Sequence, residues 1–474
     1  MTTDAPRHPG SFRHPGSFRD PAGFVAVRED HVLRVVLPPG RDDYALFAAS
    51  PLAEKLREKQ LILPFEEIPA SESPHPGAAH VLRSPRLALY SFPYEWSVSQ
   101  LRDAALLTLR VLRLALRHGM TLKDASAFNV SFAGARPVFT DLLSFTAYRE
   151  GEPWAGYLQF CEQFLVPLLL SRRAGRAVSD LLRARHDGIP LDAGARLLRG
   201  WSSLRPGPLM HVHLHARSIR RDARRMRREG VSGRLAPAAA PRQSLKQTLA
   251  LVDSLRRTVE SITLPGGGSA WDRYYDDTVY SGAETRKKED LVRGWIARVS
   301  PASVWDLGSN TGRYARLAAD AGIPTAAFDA DDAVVDAMYR DARERGDEHL
   351  TPLVMNLANP SPALGWAHSE RESLEARGPA GLALYLGLMH HLRFTHMVPL
   401  EEQMSYLARI ARHAIVEWIP REDVNVRAMT EGSVREGFAY SREGFLSALE
   451  GRFRVVESVV LGESGREMFL VSRT

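Results

Sequence analysis

The sequence predicts an α/β protein in which a seven-stranded, Rossmann-like sheet forms the C-terminal half and a smaller α+β unit precedes it. Three observations predict this. Residues 304–314, VWDLGSNTGRY, pass from an apolar strand end through Asp306, Gly308 and Gly312 into a helical pattern (Tyr314, Leu317, Ala318, Ala321), which is a strand, a tight turn and a helix. From there to residue 474, apolar β-type runs alternate with amphipathic helical ones, the order that builds a mostly parallel sheet covered by helices. Between Gly230 and Pro241, glycine, alanine and proline accumulate and mark a linker. The expected organisation is a leader (1–23), an α+β domain (24–229), a linker (230–243) and the sheet domain (244–474).

Composition sets the frame. With 474 residues, 44% of them hydrophobic and 25% charged, the chain can bury the cores of two or three domains. Its one cysteine, Cys161, cannot form an internal disulfide, and no signal peptide or transmembrane-length apolar run is visible, so a cytoplasmic location without a membrane partner is expected. A net charge of +6 is modest at this size and does not argue for nucleic acid.

The elements follow in order. Arg7–Phe12 and Arg13–Phe18 repeat one hexapeptide rich in proline and glycine, which predicts a disordered leader. FVAVRED and HVLRVVL predict a hairpin turning at Arg28–Asp30, and a helix follows over 43–59. HVLRSP and LALYSFPYEW read as a second strand pair, ahead of a long amphipathic helix over 97–118. Asp124 and Asn129 then stand five apart in the loop LKDASAFN, and Asp141 follows in PVFTDLLSF. Residues 154–170 are apolar on nearly every face, as in a buried helix. His211, His213 and His215 alternate; in an extended chain they would share a face and suit zinc, but beside a basic run packing explains them better. Arg217–Arg228 predicts an arginine-dense helix with a solvated face and no interleaved aromatics for stacking bases.

Beyond the linker, an amphipathic helix over 244–262 is broken by LPGGGS, and the aromatic segment WDRYYDDTVYS precedes a charged helix over 283–299. The second strand of the sheet, PTAAFD, ends at Asp329, about twenty residues past Gly308. The third, LTPLVMN, ends at Asn356. The fourth, in GLALYLGLMHHL, carries Leu386 to His391 past its end, where open sheets line their crevice, so His390 or His391 should face a substrate. HAIVEWIP makes a fifth strand, and FRVVESVVL with REMFLVSRT completes the sheet with an antiparallel last strand.

The D-x-G-x-x-x-G of residues 306–312 resembles the first motif of class I S-adenosylmethionine (SAM)-dependent methyltransferases, with Asn310 where many carry a middle glycine. More specifically, NLANPSPALGW, LGLMHHL, IVEWIPREDV and SGREMFLVSR, with SFRDPAGFV and LKDASAFN upstream, resemble the large bacterial two-part methyltransferases of the nodulation-protein type. That resemblance implies SAM as cofactor, held by Asp306, Gly308, Ser309, Asn310 and Gly312, with Asp329 and Ala330 at the ribose, Asn356 and Leu357 near the adenine, and Leu386 beside them. It implies a lid or substrate wall from Tyr274, Tyr275 and Tyr280, and a base in His390 or His391 for methylation, favoured at oxygen, of a small-molecule, glycan or natural-product acceptor. No nucleic-acid partner is expected.

Asp124, Asn129 and Asp141 are similar in arrangement to the catalytic loop and metal-binding aspartate of protein-kinase-like and aminoglycoside-phosphotransferase-like folds, which implies ATP and magnesium. The chain departs from that pattern: no glycine-rich loop precedes it, the second strand carries Arg34 where a lysine is expected, and DLLSF replaces D-F-G. A degenerate kinase-like lobe is therefore expected. The alternatives are a bifunctional protein that also binds ATP or transfers phosphate, and a cofactor-binding scaffold that methylates nothing.

Overall fold

The order of apolar runs is realised as two layered assemblies in a computed structural model that describes residues 13–174, 177–198, 200–228, 242–264, 282–432 and 434–474. In the first, β1 (Gly23–Val27) and β2 (His31–Val36) pair antiparallel across the expected turn. The single helix expected over 43–59 is two, α1 (Arg41–Ala49) and α2 (Pro51–Glu58). Ser50 is extended and its Oγ accepts the Leu52 N–H at 3.2 Å, so a serine N-cap and a proline at the first helical position restart the helix there. β3 (Glu66–Ile68) and β4 (His80–Pro85) complete a four-stranded sheet of order β1-β2-β4-β3.

LALYSFPYEW is not a strand. Its buried polar groups bond locally instead, Phe92 N to Glu95 Oε2 and Trp96 Nε1 to Ser91 Oγ, around a short 3-10 turn at Pro93–Glu95. α3 (Val98–Arg117) follows behind a capping box of Ser97 and Gln100. β5 (Met120–Leu122) pairs with β8 (Phe145–Ala147), enclosing the hairpin of β6 (Val130–Ala133) and β7 (Arg136–Phe139). Residues 13–23 of the expected leader are ordered against the fold, which corrects the expectation of disorder there; residues 1–12 lie outside the described residues. Arg19 pairs with Glu370 at 2.6 Å and Lys123 with Asp20 at 2.9 Å.

The histidine alternation is not extended either. Leu209–Leu214 is a π-type turn leading into α4 (His215–Arg228). There His211 bonds Tyr157 Oη and Ser254 Oγ, each at 2.9 Å, and His213 bonds Ser202 Oγ at 2.9 Å. These rings are packing groups. Among the described residues no group of three or more His, Cys, Asp or Glu is arranged to hold a metal ion.

Residues 229–241, most of the expected linker, lie outside the described residues. α5 (Leu245–Glu260), which the sequence reading joined to the C-terminal half, packs on α3. Its buried stripe of Thr248, Val252, Leu255 and Val259 needs an apolar partner, and α3 supplies it, with Arg113 and Asp253 paired at 3.2 Å.

In the second assembly, α6 (Gly282–Val299) feeds β9 (Val304–Leu307), followed by α7 (Arg313–Ala319), β10 (Thr325–Asp329), α8 (Asp332–Arg345), β11 (Leu350–Val354) and β12 (Ala380–Tyr385). Then come α9 (Met389–Phe394), α10 (Leu400–Ile410), β13 (Ala411–Trp418), α11 (Val424–Thr430), α12 (Arg442–Leu449), β14 (Phe453–Leu461) and β15 (Arg466–Arg473). The seven strands lie in the order β11-β10-β9-β12-β13-β15-β14, and β15 runs antiparallel to both neighbours. The direction of strand succession reverses at β9, the place where open α/β sheets hold ligands.

One apolar core runs through both assemblies, with Phe132 edge-on to Tyr339 at 5.8 Å. Polar groups stitch the same junction. Arg377 grips Glu95 at 2.5 and 2.8 Å with both side chains buried, Tyr339 Oη donates to Asp103 at 2.7 Å, and Ser99 N donates to Asp336 at 2.8 Å.

Candidate active site

The site is built from the turn after β9. Gly308 N and Ser309 N both donate to Phe328 O, at 2.9 and 2.8 Å, which fastens the turn to the neighbouring strand β10. Gly308 and Gly312 take left-handed angles, φ +79° and +80°. It is this backbone conformation that favours glycine at both; a Cβ would also press on Leu388 Cδ1 at 3.3 Å and Met338 Sδ at 2.6 Å, both ends of flexible side chains. Asn310 is left-handed as well, at φ +47°, a region its side chain tolerates by bonding locally: Oδ1 accepts Thr311 N at 2.7 Å. Its own N–H donates to Asp329 Oδ2 at 2.8 Å, while Asp329 Oδ1 accepts Asp331 N at 2.9 Å. Asp329 is thus joined to the glycine turn directly, and burial raises its pKa.

Asp306 pairs with Ala327 of β10 on one side and Leu384 of β12 on the other, so its backbone sits in the central strand of the sheet, and its side chain is buried. Burial pushes its pKa up to about 7, with the nearby Asp329 charge raising it and the Ala315 N–H opposing. Asp306 Oδ2 and Ser309 Oγ are buried without a hydrogen-bond partner among the described residues. Such orphans cost on the order of 1–3 kcal/mol each, which suits a site completed by a polar ligand.

Asn356 is exposed and accepts Ala358 N at 2.9 Å; Leu357 is half-buried and Ala330 exposed. Leu386 is buried, and the next residue, Gly387, donates its N–H to Glu417 Oε2 at 2.8 Å. His390 and His391 lie on α9 with ring centroids 4.2 Å apart. His390 is fully enclosed, its ring nitrogens have no hydrogen-bond partner among the described residues, and burial holds its pKa well below the usual imidazole range. His391 is half-buried and burial lowers its pKa to about 4, so it too is neutral near pH 7. Of the pair, only His391 has surface that an acceptor can reach. Tyr274, Tyr275 and Tyr280 lie outside the described residues.

No protein-family profile matches the chain. Nodulation protein NoeA of Rhizobium meliloti (strain 1021) is 35% identical to it over 406 residues, which cover 84% of this chain and 82% of that protein. The chain belongs to the NoeA family. Solved structures similar to this NoeA-family chain include magnesium protoporphyrin IX methyltransferase from Synechocystis PCC 6803 with bound SAH, at 18% identity over 43% of this chain and 93% of that one, TM-score 0.31. The bifunctional kinase-methyltransferase WbdD is similar at 18% identity over 42% of each chain, TM-score 0.29.

The NoeA-family chain also contains a buried charge network that sequence reading missed. Glu417, at the end of β13, accepts from Lys288 Nζ of α6 at 2.8 Å as well as from Gly387 N. Arg466 lies 3.7 Å from Glu417 and bonds Asp423 at 2.8 Å. All four charged side chains are buried, and Lys288 Nζ stands 4.7 Å over the Tyr314 ring. The signal in the sequence was a glutamate inside the apolar run IVEW, which a buried strand tolerates only with a partner.

In the N-terminal half, Asp124, Asn129 and Asp141 do come together. Asn129 Nδ2 donates to Asp124 Oδ1 at 2.5 Å, and Ser144 Oγ lies 3.1 Å from Asp124 Oδ1 and 2.7 Å from Asp141 Oδ2. Arg34 of β2 reaches the same cluster, with Nη1 3.3 Å from Asp141 Oδ1 and Nη2 donating to Thr140 O. Burial and the neighbouring Asp141 raise the Asp124 pKa.

Proposed function

We propose that the crevice at the carboxyl ends of β9 to β12 binds SAM and that the protein transfers its methyl group to a small-molecule or glycan acceptor, with oxygen favoured as the acceptor atom. The observation that carries this reading is the partnerless Asp306 oxygen beside a glycine turn held open by Asp329. A bound sulfonium supplies a methyl group that is already activated, so the protein's work is positioning.

In this reading Asp306 accepts from the cofactor's amino group, and Asp329 accepts from ribose hydroxyls with the lone pairs its two N–H bonds leave. Asn356 bonds the adenine through its amide, and the left-handed glycines shape the turn beside it. His391 takes the proton of an acceptor hydroxyl at a ring nitrogen, because burial keeps that imidazole neutral. The enclosed His390 supports the ring beside it. Calorimetric titration of SAM against Gly308→Val and Asp329→Ala tests the site: binding should vanish in both, and retained affinity in both would overturn the assignment. Mass shifts in extracts given isotopically labelled SAM would then identify the acceptor.

A second reading concerns the N-terminal half, because Asp124, Asn129 and Asp141 cluster as they do in phosphotransferase active sites. We infer a kinase-like lobe that no longer transfers phosphate: the Arg34 guanidinium takes the side of Asp141 that a magnesium ion would need. Titration with magnesium-ATP should give no heat, and hydrolysis would restore the bifunctional reading.

A further inference from the structure

The surface between Leu191 and Arg228 is used by none of the chemistry above. The helix Leu191–Leu197 and the 3-10 turn Trp201–Leu204 each pack on the π-type turn Leu209–Leu214. Yet Leu197, Leu204, Met210 and Leu214 turn outward, 56, 85, 49 and 47% exposed. The last two begin a stripe. Along the continuous helical run into α4, the exposed positions are Met210, Leu214, Arg217, Ser218 and Arg221, the spacing of one helix face, while His211, Val212 and Ala216 are buried. The face is apolar at its start and cationic further on. By sequence, α4 holds seven arginines against one aspartate.

A solvated arginine face would account for the charge but leaves four large apolar side chains in water beside it. A nucleic acid would also account for the charge, but duplex phosphates offer nothing to the exposed leucines and methionine, and a single strand would need aromatics to stack on its bases, which the exposed stripe lacks. An anionic bilayer surface satisfies both halves of the stripe, with headgroup phosphates for the guanidiniums and the acyl boundary for leucine and methionine. We propose that this face docks the protein peripherally on an anionic phospholipid membrane. Docking is by surface contact, since no helix among the described residues is long and apolar enough to cross a membrane.

Flotation of the full chain with vesicles tests this, comparing pure phosphatidylcholine with a mixture containing phosphatidylglycerol. The protein should float only with the mixed vesicles, and salt should weaken the association. Arg217→Gln with Arg221→Gln should bind about 25-fold more weakly, roughly fivefold per arginine. Leu204→Ser with Met210→Ser and Leu214→Ser, all at exposed positions, should also bind more weakly with an unchanged circular dichroism spectrum. No partition into the mixed vesicles would overturn the proposal, as would native-like binding by the serine variant. Complete displacement from vesicles by single-stranded DNA would assign the face to nucleic acid instead.

Discussion

Asp306 joins its position in the fold to its chemistry most directly. Flanked by strands on both sides, it has a pKa pushed from an ordinary 3.8 to about 7 by burial, so near neutrality the free protein is a mixture of carboxyl and carboxylate. Because the folded value is the raised one, charging Asp306 costs stability increasingly from pH 3.8 to 7 and by a constant amount above. An ammonium partner favours the carboxylate, so SAM affinity should rise with pH from about 6 and level off above about 7.5. Asp306→Asn should flatten that profile; calorimetry at several pH values measures it, and a flat native profile would remove Asp306 as the contact. His391 behaves oppositely: lowered to about 4 by burial, it stays unprotonated through the neutral range. His391→Ala should lower turnover on the order of 10²-fold with SAM affinity nearly intact, and unchanged turnover with the true acceptor would exclude it. That Asp306, Gly308, Gly312 and Asp329 gather at one turn was legible because a locally written strand, turn and helix bring them together. Whether His390 or His391 is the reachable one was not, since both follow the same strand and only packing separates them.

At the scale of elements, the Lys288–Glu417 contact ties α6, the loop after β12 and β13 into one unit, through a carboxylate that also receives Gly387 N. Glu417→Ala would remove the carboxylate 2.8 Å from buried Lys288, while Arg466 keeps Asp423, and should cost about 3–5 kcal/mol, read as a lower urea midpoint. Glu417→Gln keeps the Gly387 acceptor, so it should preserve more SAM affinity than alanine does. Pairs such as this are 129 residues apart in the chain, and no periodicity reports them. Local chemistry is different: the Ser50–Pro51 break between α1 and α2 was written in the sequence, although the stretch reads as one helix when that cap is overlooked. LALYSFPYEW misled because β-type residues there are satisfied by side-chain bonds rather than by a ladder.

The alternation of strands and helices makes the seven-stranded sheet readable over the whole length, but not the way the halves meet. The contacts at the junction, Glu95 with Arg377 and Asp103 with Tyr339, join residues 282 and 236 positions apart. Produced alone, residues 282–474 would expose the Tyr339 face and leave Arg377 without its carboxylate, so that fragment should lack near-ultraviolet circular dichroism and bind a hydrophobic dye. A sharp thermal transition in the fragment would show instead that the sheet stands by itself.

The buried grip of Arg377 on Glu95 bears on inheritance. A gene duplication or fusion that handed the sheet to a new neighbour would strand a guanidinium in an apolar wall. Separating the two parts is therefore expected to cost stability on both sides of the junction.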